Sequence, residues 1–337
     1  MHLREMETVS KNLEKRLVDT VFIGGGTPSV PECDVMEKLL QGLRDYFLFS
    51  ADAEVTIEAN PGTLTPEKLS IYRKYGINRI SIGLQSPKNK ELAMLGRIHN
   101  YAQFLESFQM ARAAGFSNIN VDLMFAIPGQ SYDGWIENLQ TVAALGPEHI
   151  SAYSLIIEEG TPFFRKKLDL PDEDTEYRMY EDVAAVLKEY GYHQYEISNY
   201  AKAGYECRHN EGYWQRKDYL GLGLGAASLL GMERFSNTSD MQEYLKNSSV
   251  PEKIRKNREL LTREDEMAEF MFLGLRMTQG VSKKEFQEYF GTAIENIYGE
   301  VLKKYKKQGL LLEESGRIFL SREGIHVSNA VMAEFLL

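Results

Sequence analysis

The chain has 337 residues, of which 43% are hydrophobic and 26% charged, so we expect one large domain and a smaller one. Its 39 basic and 49 acidic residues give a formal net charge of −10, which opposes a general attraction to nucleic acid or anionic lipid. No apolar run approaches the roughly 20 residues of a membrane span, and Arg4 and Glu5 make the start unlike a signal peptide. These features predict a cytoplasmic protein without a transmembrane segment and without nucleic acid as a partner, so that any membrane contact would be peripheral.

The chain contains two cysteines, Cys33 and Cys207, which are widely separated in sequence. Two distant thiols provide neither a disulfide framework nor a multi-cysteine metal site. Each is expected to be an ordinary thiol rather than a ligand.

Short apolar runs alternate with amphipathic stretches from residue 20 to about residue 157, a pattern typical of parallel strands joined by crossover helices. The predicted strands cover residues 20–23, 54–58, 79–83, 118–123 and 149–154, and a sixth apolar run covers 192–198. The fold class is therefore α/β, with a partial parallel (β/α) barrel of the TIM type.

Polar residues stand at or near the ends of these strands, among them Thr27, Glu58, Asn60, Gln85 and Asp122. The carboxyl ends of barrel strands form the face at which ligands bind. Taken singly, each of these residues could equally be a cap or a turn residue. Taken together, they predict a binding site.

The segment before the first strand, residues 1–16, is polar and favours a helix. A barrel helix without a strand before it is an incomplete βα unit. We therefore expect the barrel to lack its first strand, leaving an exposed sheet edge beside residues 20–23.

The predicted boundary between the two domains falls at residue 250, giving a barrel with its adjoining elements over 1–250 and a C-terminal domain over 251–337. Helices are predicted over 263–277, 283–290 and 294–307, followed by a hairpin over 310–320 and a helix from Arg322. Helices with one hairpin indicate a small winged-helix-like α+β domain. Its basic run at 303–307 is interpreted as a solvated face.

Six ordered motifs carry a family resemblance over nearly the whole chain: GGGTPS at 24–29, TIEANP at 56–61, SIGLQS at 81–86, LGRIH at 95–99, NVDLM at 120–124 and IPGQ at 127–130. In this order and spacing they resemble the HemW/HemN group of radical S-adenosylmethionine (SAM) proteins. The resemblance implies a SAM site formed by Gly25, Gly26, Thr27, Glu58, Gln85, Arg97, Asp122, Ile156 and Ala227. Arg97 would pair with the ligand carboxylate.

The motif His209-Asn210-x-x-Tyr213 resembles the one that marks the HemW branch, the heme chaperones. It implies heme as cargo, heme-requiring proteins as acceptors, and His209, Asn210 and Tyr213 as candidate heme contacts. Without the resemblance, a histidine on a polar loop is more often a hydrogen-bonding residue than a ligand. The alternative function is that of an oxygen-independent coproporphyrinogen III oxidase, and a third reading is a degenerate barrel kept for protein interaction.

The family holds a [4Fe-4S] cluster through a CxxxCxxC loop, and these 337 residues contain no such motif. Cys33 and Cys207 are too few to replace it. We therefore expect no metal site and no reductive SAM cleavage by this chain as written, so whether it is an enzyme is left open. The preferred explanation is an N-terminally truncated sequence.

Overall fold

The computed structural model describes residues 2–13, 16–161 and 163–337. Up to residue 201 the elements are α1 (His2–Asn12), β1 (Leu17–Ile23), α2 (Cys33–Tyr46), β2 (Leu48–Ala59), α3 (Pro66–Lys74), β3 (Arg79–Gln85), α4 (Asn89–Met94), α5 (Tyr101–Ala113), β4 (Ile119–Phe125), α6 (Tyr132–Ala143), β5 (His149–Ser154), α7 (Glu173–Glu181), α8 (Val183–Lys188), β6 (His193–Glu196) and β7 (Asn199–Ala201).

The remaining elements are α9 (Arg208–Trp214), β8 (Ala227–Leu230), β9 (Glu233–Asn237), α10 (Met241–Asn247), α11 (Pro251–Ile254), β10 (Arg255–Leu260), α12 (Arg263–Gly274), β11 (Val281–Ser282), α13 (Lys283–Phe290), α14 (Ile294–Lys307), β12 (Leu311–Glu314), β13 (Arg317–Leu320), α15 (Arg322–His326) and α16 (Ser328–Ala333). None of the helices in the described ranges is both long and apolar enough to cross a membrane.

The main sheet has seven strands in the order β1-β2-β3-β4-β5-β7-β6, and the pairs β2-β3, β3-β4 and β4-β5 are parallel. Helices connect the successive strands from β1 to β5, as in a (β/α) barrel. The predicted partial barrel is confirmed, with β1 at one end of the sheet.

Within the sixth apolar run, residues 193–196 form β6. β7 follows directly after the run and pairs antiparallel with both β5 and β6. A chain that turns back within so few residues can place its second strand only antiparallel to the first.

The parallel strands are apolar because helices cover them. Ile80, Ile82 and Leu84 of β3 are fully buried, and Trp135 of α6 is fully buried with its indole N–H donating to the Met179 carbonyl at 2.9 Å. The Thr65 hydroxyl caps the start of α3 by accepting from the Lys68 N–H at 3.2 Å.

The C-terminal helices α13 and α14 have the predicted bounds, and the predicted hairpin is the antiparallel pair β12-β13. Ser315 and Gly316 form its turn with φ angles of 52° and 76°. β11 adds to β13, which gives the small three-stranded sheet of this region.

Contacts between Cα atoms divide the chain into two compact units. Unit 1 contains residues 1–18, 38–51 and 207–337, and unit 2 contains residues 19–37 and 52–206. The boundary expected at residue 250 falls inside unit 1 and stays a prediction.

Candidate functional site

The loop after β1 has three consecutive glycines with different roles. Gly25 and Gly26 have φ angles of 82° and 65°, a left-handed conformation that favours glycine, and a Cβ on either would meet no atom within 4 Å. A Cβ on Gly24 would instead lie 2.9 Å from Cε1 of Phe22 and 3.0 Å from the Glu58 carboxylate. The loop therefore packs against the end of β2 on one side and is open on the other.

Glu58, near the end of β2, faces this loop. Its Oε2 accepts a hydrogen bond from the backbone N–H of Gly25 at 3.2 Å. Burial raises the pKa of Glu58, the bond from Gly25 partly lowers it, and the negative charge of Asp122 raises it. A half-buried carboxylate with one backbone donor can still accept hydrogen bonds from a cationic or hydroxyl-bearing ligand.

Asn60 links two of the predicted site residues. Its Nδ2 donates to the Thr27 hydroxyl at 3.1 Å, and its Oδ1 accepts from Nη2 of Arg97 at 3.1 Å. The same Nη2 of Arg97 also donates to the Gly83 carbonyl at 3.1 Å. The sequence placed Asn60 among the polar residues at the strand ends but did not assign it to the SAM site.

Lys68 of α3 secures the far side of the glycine loop. Its ammonium donates to the carbonyls of Ser29, Val30 and Thr63 at 2.7, 3.2 and 3.4 Å, and the hydroxyls of Ser29 and Thr63 lie 2.6 Å apart. These contacts hold the loop without occupying its open side. Nothing in the sequence pattern distinguished Lys68 from an exposed helix lysine.

The end of β3 brings three polar side chains close together. A Cβ on Gly83 would lie 3.2 Å from Nε2 of Gln85, 3.3 Å from Nη2 of Arg97 and 3.4 Å from Oδ1 of Asn60. Gln85 itself has a φ of 72°, and the register between β3 and β4 shifts between Gly83 and Gln85. The irregular strand end turns Gln85 towards the same cluster.

Asp122 of β4 lies in the same part of unit 2. Its Oδ1 accepts from Nδ2 of Asn120 at 2.7 Å, and its Oδ2 accepts from the Ser81 hydroxyl at 3.3 Å. Burial raises the pKa of Asp122, and hydrogen bonds from Asn120, Ser151 and Ser81 together with the charge of Arg79 oppose that shift. The charge of Asp122 also acts on Arg97, whose pKa burial lowers.

The cluster formed in unit 2 thus contains Gly25, Gly26, Thr27, Glu58, Gln85, Arg97 and Asp122, all predicted from sequence, with Asn60 added. Ile156, the other predicted residue of this unit, lies beyond β5 with 78% of its surface exposed. Its side chain is therefore largely in solvent.

Ala227 belongs to unit 1, where it is the exposed first residue of β8. The glycine-rich segment before it needs its small residues, since a Cβ on Gly221 would lie 2.2 Å from the Ala227 carbonyl oxygen. Buried Glu5 of α1 anchors this segment by accepting from the Gly223 N–H at 2.9 Å and from Nδ2 of Asn237 at 2.6 Å.

His209, Asn210 and Tyr213 lie on the short helix α9, whereas the sequence suggested a polar loop. The i, i+4 spacing places His209 and Tyr213 on one helix face. Their rings meet edge to face with centroids 4.9 Å apart, and Nε2 of His209 is 3.2 Å from the Tyr213 hydroxyl. Tyr213 in turn meets Tyr219 edge to face at 4.7 Å.

The Radical SAM superfamily matches residues 1–142, and the HemN C-terminal domain matches residues 261–327. The heme chaperone HemW of Bacillus subtilis is 38% identical, with 98% of this chain and 88% of the relative covered. The proteins of the same name from Lactococcus lactis and Escherichia coli are 36% and 35% identical, covering 97% and 95% of this chain and 87% and 86% of the relatives. The chain belongs to the HemW family.

The fold of this HemW family member is similar to that of coproporphyrinogen III oxidase (HemN) from Escherichia coli, described as a radical SAM enzyme. The TM-score is 0.86 at 22% identity, with 99% of this chain and 82% of that chain covered. This likeness confirms the predicted fold. At that identity it says nothing about activity.

Proposed function

We propose that this protein is a heme chaperone, which binds heme as cargo and passes it to heme-requiring proteins in the cytoplasm. The observation that carries the proposal is the likeness to HemW proteins of three bacteria over almost the whole chain. The oxidase alternative has only a shared fold in its favour, because the HemN structure is 22% identical.

The proposed cofactor is SAM, bound by the residues predicted from sequence. The open glycine loop supports this, because the left-handed backbone of Gly25 and Gly26 leaves room for a ligand directly beside the Glu58 carboxylate. Glu58 would accept hydrogen bonds from the ligand's ammonium group or ribose, and Arg97 would pair with its carboxylate. Asp122 would accept from a nucleoside donor, while Gln85 has both an amide donor and an acceptor to offer.

When bound, SAM supplies an electrophilic sulfonium that an electron from an iron–sulfur cluster can cleave. The cysteines of this chain do not fit such a cluster, since the CxxxCxxC loop supplies three thiolates and these residues contain only Cys33 and Cys207. Within the described residues, no group of three or more acidic, histidine or cysteine side chains is arranged to hold a metal ion.

The proposed heme contacts are His209, Asn210 and Tyr213 on α9. For Nε2 of His209 to bind heme iron, it must give up its hydrogen bond to the Tyr213 hydroxyl. A contact of 3.2 Å to a tyrosine that is itself 37% exposed is a weak restraint. The His209 and Tyr213 rings would offer an aromatic surface to a flat apolar macrocycle.

Heme transfer tests this proposal. The chain loaded with hemin would be mixed with heme-free hemoproteins from the same organism, with hemin on serum albumin as the control donor. We expect the acceptors to gain their heme spectrum faster from the chain than from albumin. Equal rates from both donors, or turnover of coproporphyrinogen III by the chain, would overturn the chaperone assignment.

A further inference from the structure

Polar side chains occupy the inner part of the parallel sheet, where neighbouring strands are otherwise apolar. Ser81, Asn120 and His149 lie on β3, β4 and β5, and each is 6% exposed or less. The sheet register pairs Ser81 with Asn120 and Asn120 with His149, so the three side chains stand in a row. Asp122, two residues after Asn120, shares its face of β4.

The hydrogen bonds in this row fix which way the Asn120 amide points. Nδ2 of Asn120 donates to Oδ1 of Asp122 and to the Ser81 hydroxyl, both at 2.7 Å. These two bonds place the amide nitrogen of Asn120 on the side of Asp122, with the Asp122 carboxyl oxygen as the acceptor. Oδ1 of Asn120 is then the acceptor for the Ser151 hydroxyl at 3.1 Å and for Nδ1 of His149 at 2.6 Å.

His149 must therefore carry its proton on Nδ1. Burial lowers the pKa of His149 well below its ordinary value of 6.5, and the charge of Arg79 lowers it further, so the imidazole is neutral. In a neutral imidazole protonated on Nδ1, Nε2 is an acceptor. Tyr195, whose hydroxyl lies 2.9 Å from Nε2, is the donor to it.

We propose that Tyr195, His149 and Asn120 are positioning residues that hold the Asp122 carboxylate as an acceptor for SAM. The three hydrogen bonds all run in the same direction: the Tyr195 hydroxyl donates to His149, His149 donates to Asn120, and Asn120 donates to Asp122. This inference rests on the proposed SAM site, and it assigns a role to residues that would not themselves touch the ligand.

The direction of these hydrogen bonds has a consequence for Asp122. Its oxygens accept from Asn120 and Ser81, and the Ser151 hydroxyl also hydrogen-bonds this carboxyl group. A carboxylate has about four acceptor positions, so Asp122 keeps capacity for a ligand donor. If the Asn120 amide rotated by half a turn, its oxygen would face Asp122 and repel the carboxylate. His149 prevents that rotation by donating to the amide oxygen.

The test is SAM binding to the folded chain, measured by calorimetry. His149→Phe keeps a ring but removes the donor, and we expect the Kd to rise on the order of tenfold. His149→Asn keeps an amide N–H near the place of Nδ1–H and should bind SAM within about twofold of the parent. Tyr195→Phe should give an intermediate rise of about threefold.

Tyr192→Phe is the matched control for Tyr195→Phe. Tyr192 is equally buried, but its hydroxyl donates to the Pro147 carbonyl at 2.5 Å, outside the chain of bonds. We expect it to lower stability without changing the Kd for SAM. If His149→Phe does not fold, a comparison of SAM binding by His149→Asn, Tyr195→Phe and Tyr192→Phe still tests the positioning role.

Nitrogen-15 NMR of the His149 ring supplies a readout that needs no ligand. We expect Nδ1 protonated and Nε2 unprotonated in the parent. A ring protonated on Nε2, or a His149→Phe variant that binds SAM like the parent, would overturn the positioning role while leaving the SAM site standing. A parent with the expected tautomer but no SAM binding would overturn the proposed SAM site and the positioning role with it.

Discussion

The backbone N–H of Gly25 donates to Oε2 of Glu58 at 3.2 Å, which joins the loop after β1 to the end of β2. The neighbouring Gly24 makes this approach possible, because a Cβ there would lie 3.0 Å from Oε2 and Cδ of Glu58. One backbone donor and one missing side chain thus determine where the carboxylate sits.

Gly24→Ala should displace Glu58 and weaken SAM binding by about tenfold, because contacts near 3.0 Å force a neighbour to move. Gly299→Ala is the control, since a Cβ on Gly299 of α14 meets nothing within 4 Å. That change should leave SAM binding unaltered and stabilise the helix by roughly 0.5–1 kcal/mol. Calorimetry and thermal unfolding measure both effects, and an unchanged Kd for Gly24→Ala would contradict this account.

Glu58→Gln should weaken SAM binding at neutral pH yet raise thermal stability. Burial raises the pKa of Glu58, so the folded protein disfavours the charged form of this side chain. The contribution of Glu58 to the free energy of unfolding therefore falls as the pH rises from its ordinary pKa of 4.5 through its pKa in the folded protein. Replacing the carboxylate removes that penalty.

The same shift predicts how SAM binding depends on pH. As the pH is lowered, the affinity for SAM should begin to fall while the pH is still above 4.5, because Glu58 becomes neutral in the folded protein. The decline should be smaller in Glu58→Gln. Identical pH profiles for parent and variant would show that Glu58 does not contact the ligand's charged or hydroxyl groups.

Asn60→Ala should weaken SAM binding by about three- to tenfold, because it removes the link between Thr27 and Arg97. Asn78→Ala is a matched control, since Asn78 also makes two bonds, with the Val55 N–H and the Ala53 carbonyl, both at 2.8 Å. The control should lose stability and keep its Kd. Equal effects of the two changes on SAM binding would assign Asn60 a purely structural role.

Much of the fold could be predicted because its signals are local. The strands β1 to β5 are apolar runs between turn signals, and α13 and α14 carry clear helical periodicity. The sheet formed by β8, β9 and β10 was missed. β10 has the sequence Arg-Lys-Asn-Arg-Glu-Leu and is almost wholly exposed, so no alternation of apolar residues marked it.

The candidate site was predicted less completely, because the sequence shows residue types but not which of them are buried. Glu58, Arg97 and Asp122 were found by motif, whereas Asn60 and His149 owe their roles to contacts with distant segments. A polar residue at an inward position of a buried parallel strand was the one available signal for His149 and Asn120. The helix α9 was taken for a loop because its seven residues are mostly polar.

His209→Ala should weaken heme binding by tenfold or more and change the iron spectrum if His209 is an axial ligand. Tyr213→Phe removes the hydroxyl that competes for Nε2 and should keep or strengthen binding. His193→Ala is the control, because His193 pairs with Glu206 at 2.9 Å in unit 2. If the His209→Ala variant gave the same spectrum as the parent, His209 would not be an axial ligand of the heme iron.

Heme titration of the parent chain, followed in the Soret region, shows directly whether this protein carries heme. We expect a saturable spectral change that ends at one heme per chain and that reverses when a competing heme acceptor is added. A response that never saturates, or that is the same for the urea-unfolded chain, would contradict the assignment of this protein as a heme carrier.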